Sequence, residues 1–145
     1  MLYQIKQYIK FIIKSSNQHG VHSPFVYDLV TKCFYDKTKY PNYYNIKDFR
    51  KRLKRVNDKV EVTDFGAGST KLKSKSRAIC DIVKHVSISK KNAKLLFRIS
   101  KYFKPNSILE LGTSLGLATQ ALALGNPNSE IITIEGCPKI SKYTF

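Results

Sequence analysis

The chain has 145 residues, with no tryptophan, a single methionine and only 10 acidic residues against 26 lysines and arginines. No apolar run approaches the ~20 residues that a membrane-spanning helix needs, and lysines interrupt the apolar residues near the start. We therefore expect neither a membrane span nor a signal peptide. Cys33, Cys80 and Cys137 are odd in number and far apart, which predicts free thiols in a cytoplasmic protein.

Metal-ligand patterns are also missing. His19 and His22 could be combined with Cys33, but together they lack the rest of any recognised zinc-site spacing. We expect no metal site and assign these histidines to a loop before Ser23 or to the entrance of a substrate pocket.

Positive charge is concentrated in the first part of the chain. Residues 1–104 hold 24 basic and 7 acidic residues, whereas residues 105–145 hold 2 and 3. This shift predicts a basic, mainly helical N-terminal region over 1–104 and a near-neutral α/β region over 105–145. The basic block at 50–55 (RKRLKR) could contact nucleic-acid phosphates, although we favour a solvated helix face.

Helical periodicity recurs through the basic region. Leu2, Ile5 and Ile9 begin an apolar stripe on a basic amphipathic helix, which we expect to pack on the protein, with a membrane surface as the alternative. Ser23 and Pro24 are typical of a helix start, predicting a helix to about residue 35. Apolar residues at helical spacing predict three more helices. They contain Ile46, Phe49, Leu53 and Val56; residues 75–86; and residues 90–103, with Leu95, Leu96, Ile99 and Phe103 on the apolar face.

The most informative stretch begins at Ser107. It is typical of a buried strand (107–111), a turn of small residues (112–116), a helix (117–124) and a second strand (131–134) that ends at Glu135. Ligands of α/β sheets bind beyond the carboxyl ends of parallel strands, so we expect a ligand site at this turn.

The carboxylate of Glu110 restricts the choice of ligand. A dinucleotide would bring its pyrophosphate near this negative charge, and Ser114 stands where the dinucleotide fingerprint has its second glycine. A cationic ligand is attracted instead. S-adenosylmethionine, with an ammonium and a sulfonium, has that chemistry. A Rossmann dehydrogenase is therefore disfavoured.

Residues 108–116 (ILELGTSLG) resemble motif I of class I S-adenosylmethionine-dependent methyltransferases, and residues 133–138 (TIEGCP) resemble the end of that fold's second strand. Residues 19–25 (HGVHSPF), 64–69 (DFGAGS) and 95–98 (LLFR) resemble a bacterial group within the O-methyltransferase-like branch.

This resemblance implies an α/β fold with the first βαβ unit of a Rossmann-like core, preceded by a helical region. It assigns the methionine part of the cofactor to Glu110 and to a turn that includes Gly112, Thr113, Ser114 and Gly116. It assigns the ribose hydroxyls to Glu135.

The resemblance further implies a small-molecule methyl acceptor and a chain truncated after the second core strand. In this family the acceptor-binding and base residues usually come from later strands, so the sequence identifies no catalytic residue. His22, Tyr27 and Asp64 are candidates for acceptor contact. The oligomeric state stays open.

Two alternatives bear on the same features. The chain could be a non-enzymatic basic helical module that binds nucleic acid or an acidic partner. This alternative gives no role to the two carboxylates at the strand ends.

The glycine-rich residues 64–69 are either a flexible loop between helices or a lid over the cofactor. Residues 112–116 also match the nucleophile motif of α/β-hydrolases, with Ser114 as the nucleophile. That fold needs its histidine after the serine, and all three histidines of this chain precede Ser114, so we reject this interpretation.

Overall fold

The computed structural model describes residues 2–15, 17–65 and 74–144, and these residues form a mixed α/β structure. The chain divides into two compact units, Met1–Asp36 and Lys37–Phe145. None of the helices described is both long and apolar enough to cross a membrane.

The first unit is helical. Helix α1 spans Leu2–Lys14 and buries none of its side chains, so the packing expected for its apolar face stays a prediction. Helix α2 spans Pro24–Asp28 and continues as a π-helix over Leu29–Phe34. The Ser23 hydroxyl accepts a hydrogen bond from the Val26 N–H, which confirms the helix start predicted at Ser23 and Pro24.

The second unit begins with helix α3, Asn42–Leu53. As predicted, Ile46 is buried, and Phe49, Leu53 and Val56 pack against the core. Arg50 differs from the rest of its basic block because it is buried, and its Nη1 donates to the Val83 carbonyl oxygen at 3.2 Å. Burial lowers the pKa of the Arg50 guanidinium.

A short hairpin follows α3. Strand β1 (Lys59–Glu61) pairs antiparallel with β2 (Ser76–Ala78), and helix α4 follows over Ile79–His85. The helix predicted over residues 75–86 was therefore wrong at its start, because residues 76–78 pair with β1. The glycine-rich segment was predicted to lie between helices, but its flanks belong to this hairpin. Its residues 66–69 lie outside the described part of the chain.

Helix α5 spans Lys90–Phe103, as predicted. It begins at Ser89, whose hydroxyl accepts from the Asn92 N–H, and it ends at Lys104 in the left-handed conformation. Its buried residues are Ala93, Phe97 and Ser100. The predicted apolar face was therefore misplaced, since Leu95, Leu96 and Ile99 are only partly buried and Phe103 is exposed.

The predicted strand–helix–strand unit is present. Strand β3 (Ser107–Leu111) pairs in parallel with β4 (Glu130–Ile134), and α6 (Leu117–Gly125) connects them. A further helix, α7 (Pro138–Thr144), follows β4, where the sequence had suggested no additional helix.

The two faces of this sheet differ in exposure. Both strands alternate between exposed and partly buried residues. Four large apolar side chains share the exposed face: Leu109, Leu111, Ile132 and Ile134.

Two apolar clusters hold the second unit together. One cluster brings α4 together with the residues around the start of α6: Ile79, Ile82, Val83, Leu115 and Leu117. The other joins α3, α5 and α6 through Ile46, Ala93, Phe97 and Ala121. The first cluster includes Leu115, so helix α4 packs directly against the turn between β3 and α6.

Candidate functional site at the turn after strand β3

The turn between β3 and α6 has an unusual backbone. Gly112, Ser114 and Gly116 all have positive φ, at 92°, 49° and 70°. This conformation favours glycine, and Ser114 adopts it although it carries a Cβ. A Cβ built on Gly112 would meet no atom of the described residues within 4 Å, so none of them fills the space beside this peptide. The backbone of this turn is therefore accessible to a ligand.

Glu135 holds the turn from the end of β4. Its Oε2 accepts from the Ser114 N–H at 2.7 Å, and its Oε1 accepts from the Cys137 N–H at 2.8 Å. An ionised carboxylate offers about four acceptor positions, so each oxygen retains capacity for another donor. Glu135 thus braces the turn and can still accept hydrogen bonds from hydroxyl groups.

Glu110 lies in the middle of a hydrogen-bond network. Its Oε2 accepts from the Thr119 hydroxyl of α6 at 2.5 Å and from the Thr133 hydroxyl of β4 at 2.8 Å. Because Thr133 gives its only hydroxyl proton to Glu110, the Thr113 hydroxyl donates to Thr133, at 2.6 Å. Glu110 therefore ties strand β3 to α6, β4 and the turn.

Sequence reasoning missed Thr119 and Thr133. Thr133 interrupts the apolar residues that follow Glu130 in β4, and it stands directly opposite Glu110 in the parallel register. A polar residue paired with a strand carboxylate was the available signal. Thr119 carried none, because threonine is unremarkable on a helix surface.

One cavity of about 250 Å³ opens at the turn. Its lining comes from the turn, the start of α6 and the segment between α4 and α5: Val86, Ser87, Ile88, Gly112, Thr113, Ser114, Leu115, Leu117 and Ala118. The Ser87 Oγ is buried and has no hydrogen-bond partner among the described residues. A buried hydroxyl without a partner is costly, so a polar ligand in this cavity would satisfy it.

A second cavity, of about 340 Å³, lies on the Glu135 side of the turn. Ser114 and Val86 line both cavities. Asp64 also lines the second cavity, and its Oδ2 lies 3.7 Å from Nη2 of Arg77. The Phe65 ring lies beside Gly136, 3.4 Å from the position that a Cβ would take there.

The remaining candidates are distributed as follows. Asp64 lies at this cavity with Glu135, whereas His22 and Tyr27 belong to the first compact unit. Gly116 precedes α6 and lines neither cavity. Glu110 does not line them either, because its carboxylate is engaged in the threonine network.

The three cysteines are buried free thiols. Cys137 lies close to the second cavity, where its Sγ accepts from the Thr63 N–H at 3.3 Å. Among the described residues, no group of three or more His, Cys, Asp or Glu side chains could hold a metal ion.

No family model, no curated protein and no solved structure matches this chain. Any functional conclusion therefore rests on the geometry of the turn and its two cavities.

Proposed function

We propose that the chain is a class I S-adenosylmethionine-dependent methyltransferase whose βαβ unit is the start of a Rossmann-like core. The observation that carries this proposal is the left-handed turn after β3, which borders two cavities and is braced by the carboxylate of Glu135. Parallel strands bind ligands at this end of the sheet.

The residues at the turn fit the cofactor. Glu135 retains acceptor capacity for the two ribose hydroxyls, and it lines the cavity on its side of the turn. The Ser87 hydroxyl, buried without a partner among the described residues, supplies a further polar contact. Gly112 allows the ligand to approach the backbone, because no side chain in the described part of the chain fills the space beside it.

The role proposed for Glu110 is partly indirect. Its Oε2 accepts both threonine hydroxyls, so this oxygen fixes α6 against the two strands. Its negative charge, one residue before the end of β3, attracts the ammonium of the methionine part. Removing Glu110 would therefore disturb both the fold and the electrostatic attraction.

When bound, S-adenosylmethionine supplies a methyl group on an electrophilic sulfonium. The chain's own contribution is to position the ligand: Glu135 orients the ribose, and the turn fixes the backbone around it. Asp64 and Phe65 line the same cavity as Glu135, and the Phe65 ring lies beside Gly136. A small-molecule acceptor and a cytoplasmic location belong to the same proposal.

The test is a calorimetric titration of the purified chain with S-adenosylhomocysteine, with NAD as the control ligand. We expect saturable binding of S-adenosylhomocysteine and no binding of NAD. Glu135→Gln should weaken binding by about tenfold or more, because one acceptor oxygen for the ribose becomes an amide donor.

A matched control separates charge from position. Glu130→Gln removes the same charge at the other end of strand β4, where the side chain is exposed, and should leave binding unchanged. Circular dichroism and thermal unfolding check that each variant is folded. A folded wild-type chain that does not bind S-adenosylhomocysteine would overturn the proposal.

A further inference from the structure

A third cavity, of about 540 Å³, lies between helix α3 and the start of helix α5. Its lining combines two tyrosines, one isoleucine and four lysines: Tyr43, Tyr44, Ile46, Lys47, Lys90, Lys91 and Lys94. From this lining we infer that the cavity binds a phosphate monoester with an aromatic body. The inference goes beyond the proposed methyltransferase function, since no residue of this cavity lines the two cavities at the turn.

The electrostatics of the cavity favour an anion. Four of its lining residues are lysines and none is acidic. Cationic side chains on two different helices therefore converge on one concave space. A dianionic phosphate would bridge them through charge-assisted hydrogen bonds.

The lysines of α5 are placed where they oppose the stability of the helix. Lys90 and Lys91 occupy its first turn, which carries the positive end of the helix dipole and favours acidic residues. Lys90 and Lys94 are four residues apart, so their like charges are neighbours on the helix surface. An anion bound between them would offset both of these unfavourable interactions. Within the fold, Lys94 makes one favourable contact, because its Nζ lies 4.7 Å from the centroid of the Tyr43 ring.

The backbone at the start of helix α5 also favours an anion. Helix α5 is 14 residues long, and the N–H groups of its first turn point out of its start. The Ser89 hydroxyl satisfies one of them, the N–H of Asn92. The helix start thus contributes partial positive charge beside Lys90 and Lys91.

The aromatic residues indicate that the ligand is larger than a phosphate ion. Tyr44 is 71% exposed although it lines the cavity, so its ring offers a face for stacking. Buried Ile46 supplies an apolar surface in the same cavity. The volume falls within the roughly 300–1,000 Å³ of small-molecule sites and exceeds what one phosphate ion would fill.

Phenyl phosphate is the smallest probe with both chemical features. We would measure its binding by calorimetry or by ³¹P NMR, beside inorganic phosphate and phenol. We expect phenyl phosphate to bind about fivefold more tightly than inorganic phosphate, and phenol not to bind. Tyr44→Ala should abolish the preference for phenyl phosphate while leaving the affinity for inorganic phosphate unchanged.

Charge variants test the position of the site. Lys90→Gln combined with Lys94→Gln should raise the Kd for phenyl phosphate by about tenfold or more. Lys51→Gln combined with Lys54→Gln removes the same charge from exposed positions outside the cavity, and should change the Kd by less than about twofold.

Thermal unfolding distinguishes lost binding from lost folding. Replacing Lys90 relieves its repulsion by the helix dipole, whereas replacing Lys94 removes its contact with the Tyr43 ring, so the double variant should change Tm by no more than about 2 °C. Equal loss of binding in both charge variants would overturn the proposal, as would displacement of phenyl phosphate by S-adenosylhomocysteine. A short single-stranded oligonucleotide that outcompetes phenyl phosphate would overturn it in favour of a nucleic-acid site.

Discussion

Ser114 is a residue whose backbone conformation conflicts with its side chain. Its φ of 49° places it in the left-handed region, which costs a residue with a Cβ roughly 1–2 kcal/mol. Its position is nevertheless fixed, because its N–H donates to Glu135 and its carbonyl oxygen accepts from the Thr144 hydroxyl. The surrounding contacts therefore hold Ser114 in a conformation that glycine would adopt without strain.

We predict that Ser114→Gly raises the free energy of unfolding by about 0.5–1 kcal/mol, since the relief of strain exceeds the added chain entropy of glycine. Both backbone hydrogen bonds are retained, so S-adenosylhomocysteine binding should persist. Urea unfolding measures the gain.

Lys104 supplies the matched control for this residue. It is the other described non-glycine residue with a positive φ, 46°, and it ends helix α5 before strand β3 begins, outside the turn. Lys104→Gly should give a similar gain by the C-cap rule. A loss of stability in Ser114→Gly beside a gain in Lys104→Gly would show that the serine side chain itself stabilises the turn.

At the level of elements, α5 and α6 approach each other closely through small residues. A Cβ on Gly125 would lie 2.4 Å from the Phe97 carbonyl oxygen and 2.8 Å from the Ser100 Cβ. Beside this contact the Ser100 hydroxyl donates to the Leu122 carbonyl oxygen at 2.8 Å. The distance between the two helices is therefore set by the absence of a side chain at Gly125.

Gly125→Ala should destabilise the protein by about 1–3 kcal/mol, because the added methyl group meets backbone rather than a flexible side chain. Helix propensity alone predicts the opposite sign, since replacing glycine by alanine within a helix usually stabilises it by about 0.5–1 kcal/mol. Urea unfolding decides between them. A gain in stability would mean that α5 and α6 are farther apart than described.

The success of the sequence predictions also differs from element to element. Local signals sufficed for the bounds of α5, which were predicted from apolar residues at helical spacing, and for the unit from β3 to β4, whose pattern of apolar runs and glycines is strong. They failed at residues 76–78, where pairing with β1 overrides helical periodicity. A strand of three residues carries too little pattern of its own to reveal a partner across the hairpin.

The candidate site shows the same division between local and long-range information. The glycines of the turn and Glu135 were visible as local motifs. The threonine network around Glu110 was not, because its hydroxyls come from α6 and β4 and meet only in the folded chain. The cavity at the start of α5 was missed for the same reason, since it depends on the packing of α3 beside α5.

On the scale of the whole molecule, the sheet of β3 and β4 has one covered face and one open face. Leu109 and Leu111 are 63% and 76% exposed, and Ile132 and Ile134 are 51% and 54% exposed. Ile131 and Ile108 alternate with them and are partly buried. A contiguous exposed apolar face of this kind favours association with other molecules. Substitutions on the two faces of the sheet can therefore separate its contribution to folding from its contribution to association.

We predict opposite results for two adjacent substitutions on β4. Ile132→Thr changes the open face and should alter the free energy of unfolding by no more than about 0.5 kcal/mol. It should also reduce the binding of an apolar dye such as ANS and slow aggregation. Ile131→Thr keeps the β-branched shape but places a hydroxyl on the partly buried face, and should cost about 1–3 kcal/mol. Adjacent residues of a strand point to opposite faces of the sheet, so Ile131 and Ile132 are equally sensitive only when both faces are packed. Similar losses of stability at both positions would therefore show that the open face is covered in solution.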